Sequence, residues 1–117
     1  MLPAPLRLRR SEDFARTVRH GSRAGRETVV VHCYLEPSRP GSRVGFVVSK
    51  GVGGAVVRNK VRRRLRGAVL DQRQDLPSGA DLVVRALPAS ATSSYDDLSS
   101  DLRSATVAAA RKARARS

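Results

Sequence analysis

Residues Val47 to Leu70 read VVSKGVGGAVVRNKVRRRLRGAVL, and the arrangement of the whole chain follows from them. From Val57 onward the apolar residues fall at Val57, Val61, Leu65 and then Ala68 or Val69, the spacing of one helical face. Arg58 to Arg66 carries six cations in nine residues and no acid. One narrow stripe therefore packs on a core while the other faces hold cationic groups outward. Like charges three and four residues apart cost an isolated helix about 0.2–0.5 kcal/mol per pair. A segment that accepts several such pairs with no interspersed Glu or Asp implies a polyanionic partner more than a merely solvated face. Gly51, Gly53 and Gly54 precede the helix, where the backbone can turn with positive φ or approach a ligand closely.

Just before this helix, Arg43 to Ser49 reads as a strand with Val44, Phe46 and Val48 on one face and Gly45, Val47 and Ser49 on the other. The turn-rich Glu36 to Ser42 links it to Thr28–Leu35, TVVVHCYL, a β-branched run suited to another strand. There Val29, Val31, Cys33 and Leu35 share an apolar face that belongs on the core. Val30, His32 and Tyr34 share the second face, and its two rings could stack on or hydrogen-bond to a ligand. The small residues of the neighbouring strand predict an open floor beside them. His32 is read as a sheet-surface residue or a ligand contact, ahead of an acid–base catalyst, and Cys33 as a small buried hydrophobe.

Further upstream, Ser11 is placed to cap a short helix with Glu12 and Asp13 in its first turn and Phe14 and Val18 on its apolar stripe, closed by Gly21. The first ten residues, with two prolines and three arginines, predict an extended mobile arm. Downstream, the turn Leu76 to Gly79 leads to a strand over Ala80–Leu87, closed by Pro88. Ser93 or Ser94 then caps a last helix with Tyr95, Leu98, Leu102, Ala105 and Ala109 on its apolar face. The order helix, strand, strand, basic helix, strand, helix leaves room for one more strand before the basic helix. It predicts an α+β two-layer sandwich with a small, mainly antiparallel sheet and about three helices. The sheet face not covered by the later helices, walled by the first, is the predicted cleft. The expected division is a basic arm over 1–10, one α+β domain over 11–113 and a frayed end over 114–117.

A chain of 117 residues suffices for one domain with its own core. The formal charge of +13 arises from 23 Lys and Arg against 10 Asp and Glu, and 20 of the cations are arginine, whose planar fork suits phosphate. Such a balance points to nucleic acid before an anionic membrane surface. One cysteine excludes an intrachain disulfide and a cysteine-based zinc cluster, and only two histidines accompany it. No apolar run reaches the length of a signal peptide core or of a membrane span, so a cytoplasmic location is expected.

Val44 to Arg66, VGFVVSKGVGGAVVRNKVRRRLR, resembles the signature of the bacterial ribonuclease P protein subunit. Glu12-Asp13-Phe14 through His20-Gly21 is similar to that family's first helix, and Asp81 to Ala86 to its last strand. The resemblance spans roughly Leu6 to Leu102. It implies a protein cofactor of a ribonucleoprotein that removes 5′ leaders from precursor tRNA, in which the RNA subunit catalyses cleavage with Mg²⁺ held mainly by RNA. One protein per RNA is expected, with no catalytic and no metal-binding residue in the protein. The resemblance assigns Lys50, Arg58, Asn59, Lys60, Arg62, Arg63 and Arg66 to the RNA subunit. It assigns Phe14, Val18, His32, Tyr34, Val47 and Ser49 to the leader, and implies a left-handed crossover around the basic helix. Gly51, Val18 and His32 depart from residues common in the family, so leader binding is expected to rest on cations and shape more than on stacking. The alternative reading is a structural RNA-binding protein of the ribosome or its assembly. A self-sufficient nuclease is disfavoured because no carboxylates cluster as metal ligands.

Overall fold

The computed structural model describes residues 2–116. Helix α1 (Ser11–His20) is followed by strands β1 (Ser22–Gly25), β2 (Val29–Leu35) and β3 (Ser42–Val47). Helix α2 (Ala55–Asp71), strand β4 (Ala80–Ala86) and helix α3 (Tyr95–Arg116) complete the order. The four strands form one sheet in the order β1-β2-β4-β3. The β1–β2 and β2–β4 pairs are antiparallel and β3–β4 is parallel, so α2 is the crossover between two neighbouring strands. The predicted α+β sandwich is the observed one.

One sheet face carries the core. Val29, Val31 and Cys33 of β2, Leu82 and Val84 of β4 and Val44 of β3 are buried there against Val61 and Leu65 of α2. Leu98, Leu102, Ala105 and Ala109 of α3 close the same layer. The alanines let α3 lie near β1 and β2, against which it packs along its length. Ser94 caps it, its Oγ accepting the Asp97 N–H at 3.0 Å. Asp101 ties the helix to the start of β2, accepting from the Thr28 N–H at 3.1 Å and its hydroxyl at 2.7 Å.

Several expectations are corrected. Residues 2–10 are not an extended mobile arm: Leu2, Leu6 and Leu8 are buried, with a single 3₁₀ turn over Ala4–Leu6. The Leu8 N–H donates to the Val44 carbonyl at 3.0 Å and Arg7 bridges Val44 in parallel. An edge strand offers unpaired backbone groups, and three leucines gain about 1.5–3 kcal/mol each by burial beside it. At the other end α3 stays helical through Arg116, so 114–116 is not a frayed end. Lys112 Nζ donates to the Arg23 carbonyl at 3.0 Å and Arg116 to Ser22 Oγ at 3.1 Å. Met1 and Ser117 lie outside the described residues. Ser11 starts α1 but does not cap it; Arg10 holds the cap position with no side-chain bond. Gly21 does end α1, but with extended backbone. A Cβ there would stand 2.7 Å from the Cys33 carbonyl oxygen, so lack of bulk decides that position.

Candidate nucleic-acid interface

The basic helix behaves as its periodicity requires: Val61, Leu65, Ala68 and Val69 are buried and Val57 packs on the core edge. Lys50, Asn59, Lys60 and Arg63 are exposed, and Arg58, Arg62 and Arg66 are half-buried. Arg62 donates to Asn59 Oδ1 at 3.1 Å and to the Val48 carbonyl at 3.4 Å, and Arg64 to the Ser93 carbonyl at 3.0 Å. These bonds aim the forks without neutralising them. Among the described residues no cation of α2 makes an ion pair. Arg58 Nε is enclosed with no partner among the described residues. Of the three leading glycines only Gly53 needs to be glycine for its backbone, at φ +156° and ψ −171°. Lys50 lies on the 3₁₀ turn Lys50–Val52 that precedes it.

Two acids, Asp13 and Asp81, are engaged by arginines outside α2. Asp81 on β4 is fully buried and gathers three arginines. Arg43 grips it with two parallel bonds of 2.8 Å, Arg39 donates at 2.6 Å and Arg16 at 3.3 Å. Burial alone would raise this carboxyl's pKa, but the Arg43 bonds and the Arg39 and Arg43 charges outweigh it and hold the group below its usual range. Asp13 of α1 joins the cluster through Arg16 and Arg43, which clamps α1 onto the second sheet face. No local pattern announces this hub: a buried carboxylate in a strand is recognisable only once its three partners converge from distant positions.

That second face carries Arg23 and Gly25 of β1, Val30, His32 and Tyr34 of β2, and Asp81, Val83 and Arg85 of β4 in register. Arg43, Gly45 and Val47 of β3 complete it. Of the predicted leader contacts, Val18 is exposed on α1, and Val47 and Phe14 are half-buried. Ser49 is exposed beyond the end of β3, on the approach to α2. The predicted open floor is corrected in three places. The Phe14 ring occupies the space over Gly45, where a Cβ would fall 2.6 Å from its Cε1. The Arg16 guanidinium sits 4.8 Å over the Tyr34 ring, so that face is already stacked. His32 is 3 % exposed, and neither ring nitrogen has a partner. Its burial, then the Arg85 and Arg23 charges, lower its pKa. Arg23 and Arg85 are exposed beside it and were missed in the sequence, Arg23 because the four-residue strand SRAG has weak β propensity. Alternation along β4 from Asp81 could have placed Arg85 on this face.

A groove of about 300 Å³ joins the two surfaces at the β3 edge, lined among others by Leu8, Phe14, Phe46, Arg62 and Arg66. The docked amino-terminal segment forms its wall. Cys33 is buried in the core, and burial pushes its thiol up to about 11, which leaves it inert as a nucleophile. Among the described residues no three His, Cys, Asp or Glu side chains converge as a metal site. Nor is any described helix long and apolar enough to cross a membrane.

The sequence profile described as Ribonuclease P matches residues 2–110. The Ribonuclease P protein component of Kocuria rhizophila is 54% identical over 112 residues, covering 96% of this chain and 98% of its own. That of Streptomyces bikiniensis is 52% identical, covering 90% and 92%. Among solved structures, the RNase P protein from Thermotoga maritima superposes with a TM-score of 0.74 at 27% identity, over 82% of this chain and 90% of its own. A Staphylococcus aureus RNase P protein mutant with defective mRNA degradation activity gives 0.79 at 25% identity, over 86% and 85%.

Proposed function

The chain belongs to the ribonuclease P protein family, and from that premise we propose a division of labour between its two surfaces. It is a protein cofactor of ribonuclease P and associates with the RNA subunit and with precursor tRNA. The α2 face, through Lys50, Arg58, Asn59, Lys60, Arg62, Arg63 and Arg66, grips the RNA subunit. The face beneath α1, with Phe14, Val18, His32, Tyr34, Val47 and Ser49 in or beside it, guides the single-stranded 5′ leader, and one protein serves one RNA. The RNA carries the cleavage chemistry and Mg²⁺, which supplies charge stabilisation and an activated water there.

What supports this reading most is one observation: the cations of α2 make no ion pair with a described acid, while Asp13 and Asp81 are bound by arginines elsewhere. Burying Asp81 while leaving α2 unneutralised keeps that helix's field for an external polyanion, where counterion release drives salt-sensitive binding. The leader is unpaired, so a sheet floor with cations needs little base readout to hold it. The ribosomal reading lacks a comparable observation in its favour.

The test is leader removal from precursor tRNA at low Mg²⁺. RNA subunit plus protein should cleave; protein alone should not. Equal cleavage by the protein alone would overturn the cofactor reading.

A further inference from the structure

We infer that Arg23, His32 and Arg85 form a phosphodiester seat across the sheet floor, at which His32 takes up a proton as the single strand binds. The inference rests on the leader reading above and assigns residues and a linkage to that surface. His32 lies directly opposite Arg23 in the β1–β2 register and diagonal to Arg85, which pairs with Val30. Neither arginine makes an ion pair with a described residue. The imidazole between them is 97% buried and both its nitrogens lack partners. A buried polar ring with no bond costs stability, and no described residue offers it a partner. An anion that displaces the side chains covering the ring and seats between the two guanidiniums does, by accepting an N–H from it.

The other charged groups of this face are already engaged or lie outside it. Asp81 of β4 and Asp13 of α1 are held by Arg16, Arg39 and Arg43. Arg19 and His20 of α1 point to solvent, and α3 packs on the opposite side of the sheet. In the free protein burial, Arg85 and Arg23 all oppose protonation of His32. A phosphate neutralises the two cations and stabilises imidazolium, so binding and proton uptake favour each other.

The experiment measures holoenzyme affinity for a cleavage-blocked precursor tRNA relative to mature tRNA between pH 7.5 and 5.5, for the wild type and His32→Gln. If binding restores an ordinary pKa near ~6.5, the ratio rises up to about tenfold over this range in the wild type and stays flat in His32→Gln. NMR of the His32 ring with a short single-stranded RNA should show its pKa moving up, and Arg85→Gln should raise it in the free protein. Discrimination that is present but independent of pH, or equally pH-dependent in His32→Gln, overturns the seat and leaves the leader reading intact. No discrimination by the wild type at any pH overturns both.

Discussion

Asp81 is the residue on which the second face depends. Replacing it with Asn leaves three arginines facing a neutral amide, and loss of one partner of a buried charge cluster costs about 3–5 kcal/mol. Because its arginines reach solvent, with side chains 27–36% exposed, the lower part of that range is expected. Its lowered pKa fixes the pH dependence. The stabilisation is complete above the unfolded carboxyl value of about 3.9 and is lost as pH falls through the lower folded value. Urea unfolding of Asp81→Asn should therefore show a marked loss at pH 7 and a flatter acid limb below pH 4; wild-type behaviour at both would mean the cluster contributes nothing. His32 acts at a higher pH. Its folded pKa is lowered, so the unfolded chain binds the extra proton, and stability is full above about pH 6.5 and declines below it. His32→Leu removes that decline and is at least as stable as wild type at pH 5.5, since it replaces an unpartnered buried ring. A less stable His32→Leu at that pH would indicate a bond the ring makes in solution.

At the scale of the element, α2 is a helix whose sequence accepts the local cost of like-charge pairs that no ion pair among the described residues relieves. Arg62→Gln, Arg63→Gln and Arg66→Gln together should flatten the salt dependence of RNA-subunit binding by about 0.7–0.9 per lost phosphate contact. The same triple variant should unfold no earlier than wild type, because it removes like-charge pairs and breaks no ion pair. An unchanged salt slope would mean these side chains are only solvated. Gly67 stands within α2, where a Cβ would meet the Tyr95 hydroxyl at an ordinary 3.6 Å. Gly67→Ala should then stabilise the protein by about 0.5–1 kcal/mol without altering RNA affinity. Thermal unfolding decides it, and a lowered Tm would mean that the Tyr95–Asp71 bond of 2.7 Å is disturbed.

At the scale of the whole molecule, the amino-terminal segment makes one continuous surface from two. By docking along β3 it buries Leu2, Leu6 and Leu8 and walls the groove that runs from Phe14 toward Arg62 and Arg66. Deleting residues 2–8 should lower Tm by several degrees, since even one such leucine is worth about 1.5–3 kcal/mol. It should also weaken precursor binding more than mature tRNA binding, measured side by side; unchanged Tm would return this segment to the status of a loose arm. The fold class, the three later strands, the basic helix and a cap at Ser93 or Ser94 were legible because each depends on periodicity or on neighbours within four residues; the structure chose Ser94. Polar pattern and charge density along 58–66 likewise sufficed to mark a cationic face, which the fold leaves without ion pairs among the described residues. Strand β1, the docking of residues 2–10, the Asp81 hub and the burial of His32 were decided only by tertiary structure. Each depends on groups tens of residues apart meeting across the sheet, and neither local propensity nor spacing carries the free energy of such meetings.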